Sequence, residues 1–320
     1  MILTVTANPS IDRTVELEAP LRHGAVQRAA ATRIEAGGKG VNVARVAAGA
    51  DVATLAILPA RSDDPMLGLL DSVRLPYRAT DVGADVRSNL TVVDPDGTTT
   101  KINAAGAVLD DATATALAEE IVANAPGASW VALCGSLPPG LPADWYARLV
   151  AALKPHGCKI AVDTSGAPLA AVAQPGADLL KPNADELAEL VGGDGPAIEA
   201  AAQAGDFGPA VAASLLLAQR TGGTILTTLG AAGALLTTTT ASWSATPPPI
   251  VPRSTVGAGD ASLAGYLLAE LAGAEPAERL RRAVAYGSAA AALPGTQPPS
   301  PSDLNLDDIQ IAEIALPTPA

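Results

Sequence analysis

Aromatic side chains are almost missing. Phe, Trp and Tyr together make up 2% of the 320 residues, although 48% are hydrophobic. The interior must therefore be filled by Ala, Val, Leu and Ile, the mixture expected where helices pack on a buried parallel sheet. Disorder does not fit that composition, and a chain of this length can bury a large core as one elaborated domain or two smaller ones. Cysteine is equally scarce. Cys134 and Cys158 belong to no CxxC pair and are expected as buried, reduced thiols. The two histidines, His23 and His156, stand alone in turn-like contexts without metal-ligand spacing and are expected at the surface.

Positive charge is in deficit, 20 Lys and Arg against 33 Asp and Glu for a formal net charge of −13. That balance argues against nucleic acid as a partner, since phosphate backbones call for basic faces. An anionic small substrate would need locally placed cations. No apolar run is long enough, free of Gly, Pro or polar interruption, to suggest a membrane span. The opening MILTVTANPSIDRT lacks the basic region before an apolar stretch that a secretory signal requires. The expectation is a cytoplasmic enzyme with no membrane partner.

What is present is alternation. β-type runs such as ILTVTAN, VATLAIL, WVALCGSL, KIAVDTSG and TILTTLG are interleaved with helix-type stretches such as VNVARVAAGA and PADWYARLVAAL. Such alternation reads as βαβ units around a mostly parallel sheet, with ligands at the carboxyl ends of strands. Two regions, around residues 12–34 and 87–103, break the rhythm with short strands. The second contains the turn sequence Asp94-Pro95-Asp96-Gly97. These strands suit a small β-sheet lid or an ordinary surface hairpin.

Chemistry concentrates at a few turns. In STVGAGDASLAGYLLAEL, Leu263, Tyr266, Leu267 and Leu271 fall at helical spacing after Asp260, so Gly257, Ala258 and Gly259 sit where a helix begins. The N–H groups of that first turn can hold a transferring phosphoryl group, and Asp260 can accept the proton of an attacking hydroxyl. An Asp with an ordinary pKa of about 3.9 is ionised at neutral pH and needs no tuning for that role. A plain capped helix explains the same residues.

Asn183 and Glu186, three apart ahead of an apolar pattern, form a capping box; they also suit the water shell of a phosphate-bound Mg²⁺. Thr228-Leu229-Gly230-Ala231-Ala232-Gly233 ends a strand and offers bare backbone to nucleotide phosphates, or is a simple turn. Near the start, Asp12 lies close in sequence to Gly38, Lys39 and Asn42, a set able to bind sugar hydroxyls and an anion. Arg87, Asn89, Lys101 and Asn103 add polar groups in the suspected lid, and Arg is the side chain best shaped for a phosphate fork.

Taken in order, TANPSIDRT, AGGKGVNVAR, LCGSLPPGLP, LLKPNADEL, TTLGAAGALL and STVGAGDASLAGYL resemble the ribokinase-like sugar kinases of the phosphofructokinase-B type over nearly the whole chain. Within them, the 1-phosphofructokinase and tagatose-6-phosphate kinase group is most similar. The resemblance implies a single three-layer α/β/α domain with a mostly parallel sheet and a β-sheet lid, ATP and Mg²⁺ as cosubstrates, and a ketohexose phosphate as acceptor. It implies Asp260 as base, with Gly257, Ala258 and Gly259 as the anion hole. Asn183, Thr228, Gly230, Gly233 and Gly259 would bind the nucleotide, and Asn183 with Glu186, through water, the metal. Asp12, Gly38, Lys39, Asn42, Arg87, Asn89, Asn103 and Ser136 would bind the sugar phosphate, and the lid edges could pair two copies into a homodimer.

Two departures stand out. Val86 occupies the position of a usual Thr, and Arg253-Ser254 stands where ribokinases place an Asp for a monovalent cation. The Gly- and Ala-rich stretch 192–208 has no counterpart and is expected as a peripheral loop and helix. Fructose 1-phosphate is the expected acceptor, with tagatose 6-phosphate or fructose 6-phosphate as runners-up. A silent sugar-phosphate sensor and a nucleoside kinase are the readings from other classes.

Overall fold

A computed structural model describes residues 1–174 and 176–317. Among the described residues fourteen strands occur in chain order: β1 (Ile2–Thr6), β2 (Ser10–Leu17), β3 (Ala29–Gly37), β4 (Thr54–Pro59), β5 (Tyr77–Thr80), β6 (Arg87–Val93), β7 (Thr99–Ile102), β8 (Trp130–Cys134), β9 (Lys159–Asp163), β10 (Leu179–Leu180), β11 (Thr224–Thr228), β12 (Ala234–Thr237), β13 (Ser242–Thr246) and β14 (Gln310–Ile314). Ten of them form one sheet in the order β14-β13-β12-β11-β10-β9-β8-β1-β4-β5. From β5 to β11 every neighbouring pair is parallel; β12, β13 and β14 close one edge antiparallel.

Strand alternation builds the layers. Leu3, Val5, Val131, Leu133, Ile160 and Val162 point into a core shared with the helices Asp111–Asn124, Trp145–Leu153 and Gly208–Thr221. Ile2, Trp130, Ala132, Cys134 and Ala161 face the other way, into a core with the helices Lys39–Gly49, Ala258–Leu271 and Pro276–Ala292. With both faces covered, such strands read as apolar runs, and this is the α/β/α sandwich expected from the alternation. Cys134 and Cys158 are buried in it and unpaired, and both histidines are exposed. Among the described residues no helix is long and apolar enough to cross a membrane.

One element differs from its sequence pattern. Helix Ala258–Leu271 is buried all round from Asp260 to Ala269, not along a single stripe. It is sandwiched between the sheet and the helices Lys39–Gly49 and Pro276–Ala292, so its small residues are contact surfaces too: a Cβ on Gly265 would lie 2.6 Å from the Arg282 carbonyl. The stretch 192–208 is less peripheral than expected. Helix Gly195–Gln203 buries Ile198 and Ala202 in the first core.

The remaining strands form a separate sheet in the order β3-β2-β6-β7, with β2 and β6 parallel and the outer pairs antiparallel. The β6–β7 hairpin turns at Asp94–Gly97, where Gly97 takes φ 89° and its N–H donates to the Asp94 carbonyl at 2.9 Å. This sheet springs from the carboxyl end of β1, and β3 returns from it into helix Lys39–Gly49. Its base is tied down by Asp64, which caps helix Pro65–Ser72 and also accepts from the Val86 N–H at 2.8 Å. A backbone N–H does that work, so the Val86 side chain is not required for it.

Candidate active site

The carboxyl ends of β1, β8, β9, β10 and β11 lie side by side, and the turns leaving them carry the polar residues. Helix Lys39–Gly49 starts without a side-chain cap. Gly38 there has φ 115°, and a Cβ on it would meet Thr6 Cγ2 at 2.5 Å, so any other residue would strain the turn. A Cβ on Gly37 would strike the Asp12 carboxylate. The glycines thus bring the helix start against β1 and β2.

From that start, Asn42 Nδ2 donates to Asp260 Oδ2 at 2.8 Å. Asp260 stands in the first turn of helix Ala258–Leu271, whose N-cap Gly257 is left-handed at φ 81° and supplies no side chain. The turn therefore offers the N–H groups of Gly257 and Gly259 beside a carboxylate, while the Ala258 N–H makes only a long 3.4 Å bond to the Thr255 carbonyl. Asp260 is 5% exposed. Burial, with the nearby negative Asp163, pushes its pKa up to about 6, against the pull of Lys39, Asn42 and Lys181. This corrects the expectation of an ordinary carboxylate: the sequence shows the helix start but not the depth at which it is packed.

Lys39 does not hang free in the cleft. Its Nζ donates to Asp163 Oδ1 at 2.7 Å, and Lys181 Nζ lies 3.0 Å from Asp163 Oδ2. Burial works against the Lys39 charge, but Asp163 and Asp260 outweigh it and hold its pKa above the ordinary lysine value. Burial likewise works against the Asp163 carboxylate, and the two lysines overcome it to keep its pKa low.

On the small sheet, Asp12 and Asn89 are register partners, and Asp12 accepts from Asn89 Nδ2 at 3.0 Å and from Ser10 Oγ at 2.7 Å. Burial raises the Asp12 pKa despite these bonds. Arg87 is half-buried and spends its donors on backbone carbonyls, those of Ala104 at 2.7 Å, Asn8 at 3.2 Å and Pro9 at 3.3 Å. Neutral carbonyls leave its charge uncompensated; burial lowers its pKa and Asp12 opposes that. Asn8, at the end of β1, donates to Ala105 O at 3.0 Å and to Ser136 Oγ at 3.4 Å, which places Ser136 beside this group. Asn103 is exposed just beyond β7 and makes no side-chain hydrogen bond among the described residues, so nothing ties it to Asp12.

The residues expected to bind the nucleotide include neighbours as well. Asn183 bridges Thr228 across adjacent strand ends, and Asn183 and Glu186 form the reciprocal cap, Asn183 N to Glu186 Oε2 at 2.9 Å and Glu186 N to Asn183 Oδ1 at 2.8 Å. Gly230 opens a short 3₁₀ turn next to the Glu199 carboxylate. Gly233 has a sufficient backbone reason of its own: φ 99°, with the Ala245 carbonyl where a Cβ would stand.

Comparison with known proteins now decides the family. Residues 5–303 match the model of the pfkB family carbohydrate kinases. The chain belongs to that family. As a pfkB kinase it is an ATP-dependent sugar kinase, and its relatives place it among kinases of sugar phosphates. It is 37% identical over 317 residues to a 1-phosphofructokinase of Rhodobacter capsulatus, covering 95% of this chain and 94% of that one. It is 32% identical to the ATP-dependent 6-phosphofructokinase isozyme 2 of Escherichia coli, covering 92% and 94%. The solved Escherichia coli phosphofructokinase-2 in complex with substrates and products superposes with a TM-score of 0.83 at 29% identity, covering 94% and 96%. An Arabidopsis thaliana ribokinase shares the fold, with a TM-score of 0.68 at 22% identity.

Asp163 was not singled out by sequence reasoning, and Lys181 and Asn8, within LLKPNADEL and TANPSIDRT, were given no role of their own. The available signal was an acidic residue closing an apolar parallel strand, KIAVD, and a lysine just after the next strand in the sheet.

Proposed function

We propose that this pfkB kinase transfers the γ-phosphoryl group of ATP to the 6-hydroxyl of fructose 1-phosphate, giving fructose 1,6-bisphosphate. The observation that carries the reading is the buried Asp260 carboxylate at an uncapped helix start, held by Asn42 from the helix that follows the small sheet. Asp260 takes the hydroxyl proton as that oxygen attacks the γ-phosphorus, and the bond to the β-phosphate oxygen breaks. The N–H groups of Gly257, Ala258 and Gly259 offset the charge on the transferring group. Asn42 Oδ1 is buried without a partner among the described residues, so it can accept from a sugar hydroxyl. Asp12, ordered by Ser10 and Asn89, is an acceptor for further hydroxyls, with Gly38 and Ser136 alongside. Arg87 supplies positive charge for the acceptor phosphate, while Lys39, paired with Asp163, lies on the Asp260 side of the site; close fixed charges outweigh a net charge screened beyond about 8 Å.

Thr228, Gly230 and Gly233 are assigned to ATP on the adjacency of Thr228 to Asn183. Mg²⁺ fits Asn183 and Glu186 through water: Glu186 commits Oε2 to the cap and keeps Oε1 free. No group of three His, Cys, Asp or Glu able to hold a metal occurs among the described residues, which suits an ion that retains its own waters. Bound with ATP, it would neutralise phosphate charge. The small sheet serves as the lid in a single kinase domain, and exposed Ile34 and Ile102 on its outer strands suit pairing with a second copy.

The relative named 6-phosphofructokinase isozyme 2 supports fructose 6-phosphate as the second reading. ADP release measured with fructose 1-phosphate, fructose 6-phosphate, tagatose 6-phosphate and unphosphorylated fructose separates them. The highest kcat/KM is expected with fructose 1-phosphate. Equal rates with and without the acceptor phosphate would overturn the assignment, and no turnover with any sugar would favour a silent sensor.

A further inference from the structure

Asp163 ends β9 with 0% exposure and has no part in the chemistry proposed above. Two ammoniums meet on it. Lys39 Nζ lies 2.7 Å from Oδ1 and comes from the helix that carries Asn42; Lys181 Nζ lies 3.0 Å from Oδ2 and comes from the turn into Asn183. Lys181 is itself 4% exposed, and a Cβ on Gly259 would stand 3.3 Å from its Nζ, so that ammonium borders the turn ahead of Asp260. Asp260, the other buried carboxylate of the site, takes a hydrogen bond from Asn42 and forms no ion pair among the described residues. Both cations are therefore gathered on one carboxylate while the second is left free. An unpaired buried charge is costly, and Lys181 is buried whereas the Lys39 side chain is 38% exposed. Without Asp163 the buried anion that faces both lysines is Asp260.

We propose that Asp163 is a positioning residue for the phosphoryl transfer: its carboxylate clamps Lys181 beside the Gly257–Gly259 turn and Lys39 at the start of the helix that carries Asn42, and keeps both ammoniums off Asp260. The inference rests on Asp260 acting as the base. The groups that face Asp260 are Asp163, Lys39, Lys181 and Asn42. Cys134 lies near the same charges and stays a neutral thiol, since burial pushes its pKa up.

The test is steady-state kinetics of Asp163→Asn across pH, with Asp260→Asn in parallel. Asp163→Asn is expected to lower kcat by about 100-fold with both KM values within about threefold, a loss confined to the transition state. Its acid limb should move down by about one pH unit, because the Asp163 charge that helps raise the Asp260 pKa is gone and the released ammoniums then act on Asp260. A kcat within about threefold of wild type, a loss residing wholly in KM, or an unmoved acid limb overturns the proposal. If Asp163→Asn does not fold, Asp163→Glu keeps the charge and carries the test: its longer arm misplaces both ammoniums, so a drop in kcat of about tenfold or more with KM nearly unchanged supports the proposal, and a wild-type kcat overturns it. An active Asp260→Asn enzyme sinks the base assignment itself. An inactive Asp260→Asn beside an unaffected Asp163→Asn sinks only the clamp.

Discussion

Asn42 Nδ2 and Asp260 Oδ2 are 2.8 Å apart, joining the first turns of two helices across 218 positions of sequence. The bond lowers the Asp260 pKa against the burial that raises it to about 6. If Asp260 is the base, kcat/KM in the wild type falls on the acid side with a limb near pH 6 and is flat above about pH 7. Asn42→Ala removes the donor, so the limb moves up, and kcat at pH 7 falls by about tenfold or more. A pH–rate profile of the two proteins checks both statements; a limb that stays in place or moves down refutes the coupling.

Replacing Asp260 with Asn should abolish turnover while making the protein more stable in neutral solution. The folded-state pKa of about 6 lies above the ordinary value of 3.8, so between those two pH values the native chain binds more protons than the unfolded one. Wild-type stability from this group is present below the lower value and is lost as pH rises through the upper one. The loss has an upper bound of about 3 kcal/mol, which the amide variant, a mimic of the neutral acid, does not suffer. Urea denaturation at pH 5 and pH 8 should show the variant's advantage growing with pH.

Arg87 grips three carbonyls at the junction of the two sheets without neutralising its charge. In Arg87→Ala, the KM for a phosphorylated acceptor is expected to rise by about tenfold or more, with the KM for ATP changed less than about twofold. Arg87→Lys should recover only part of the loss. An unchanged KM for the sugar phosphate would point to an acceptor without phosphate, as in a nucleoside kinase.

Gly38→Ala tests the helix start that presents Lys39 and Asn42. The left-handed φ of 115° and the contact with Thr6 Cγ2 force the backbone to shift. A loss of about 1–3 kcal/mol of stability is expected, with a larger proportional loss in kcat than in Tm. Alanine accommodated with full activity would show that this turn does not set the geometry of Asn42.

The fold was legible because each apolar run maps onto one parallel strand, with alternate residues feeding opposite cores, as Leu3 and Ile2 do. The glycine turns were legible because positive φ and close approach leave few residue types. Electrostatics were not. Asp260 looks the same in sequence whether it caps an exposed helix or lies 5% exposed beside Asp163. The Lys39–Asp163–Lys181 group joins residues far apart in the chain, and only the order β10-β9-β8-β1 brings them together. Arg87 illustrates the opposite case: its place on the small sheet was readable, but its backbone partners were not, since carbonyls carry no sequence signature.

The parallel pairing of β2 with β6 sets Ser10 against Arg87 and Asp12 against Asn89. Because neighbouring strand residues point to opposite faces, inserting a single residue into either strand would turn one member of each couple away while leaving the large sandwich intact. The Asp94–Gly97 tip lies outside these couples, tied to the rest of the small sheet by the Leu21 N–H on Asp94 Oδ1, whereas an indel within β2 or β6 would split Asp12 from Asn89 and Ser10 from Arg87 while the large sheet keeps its own pairing.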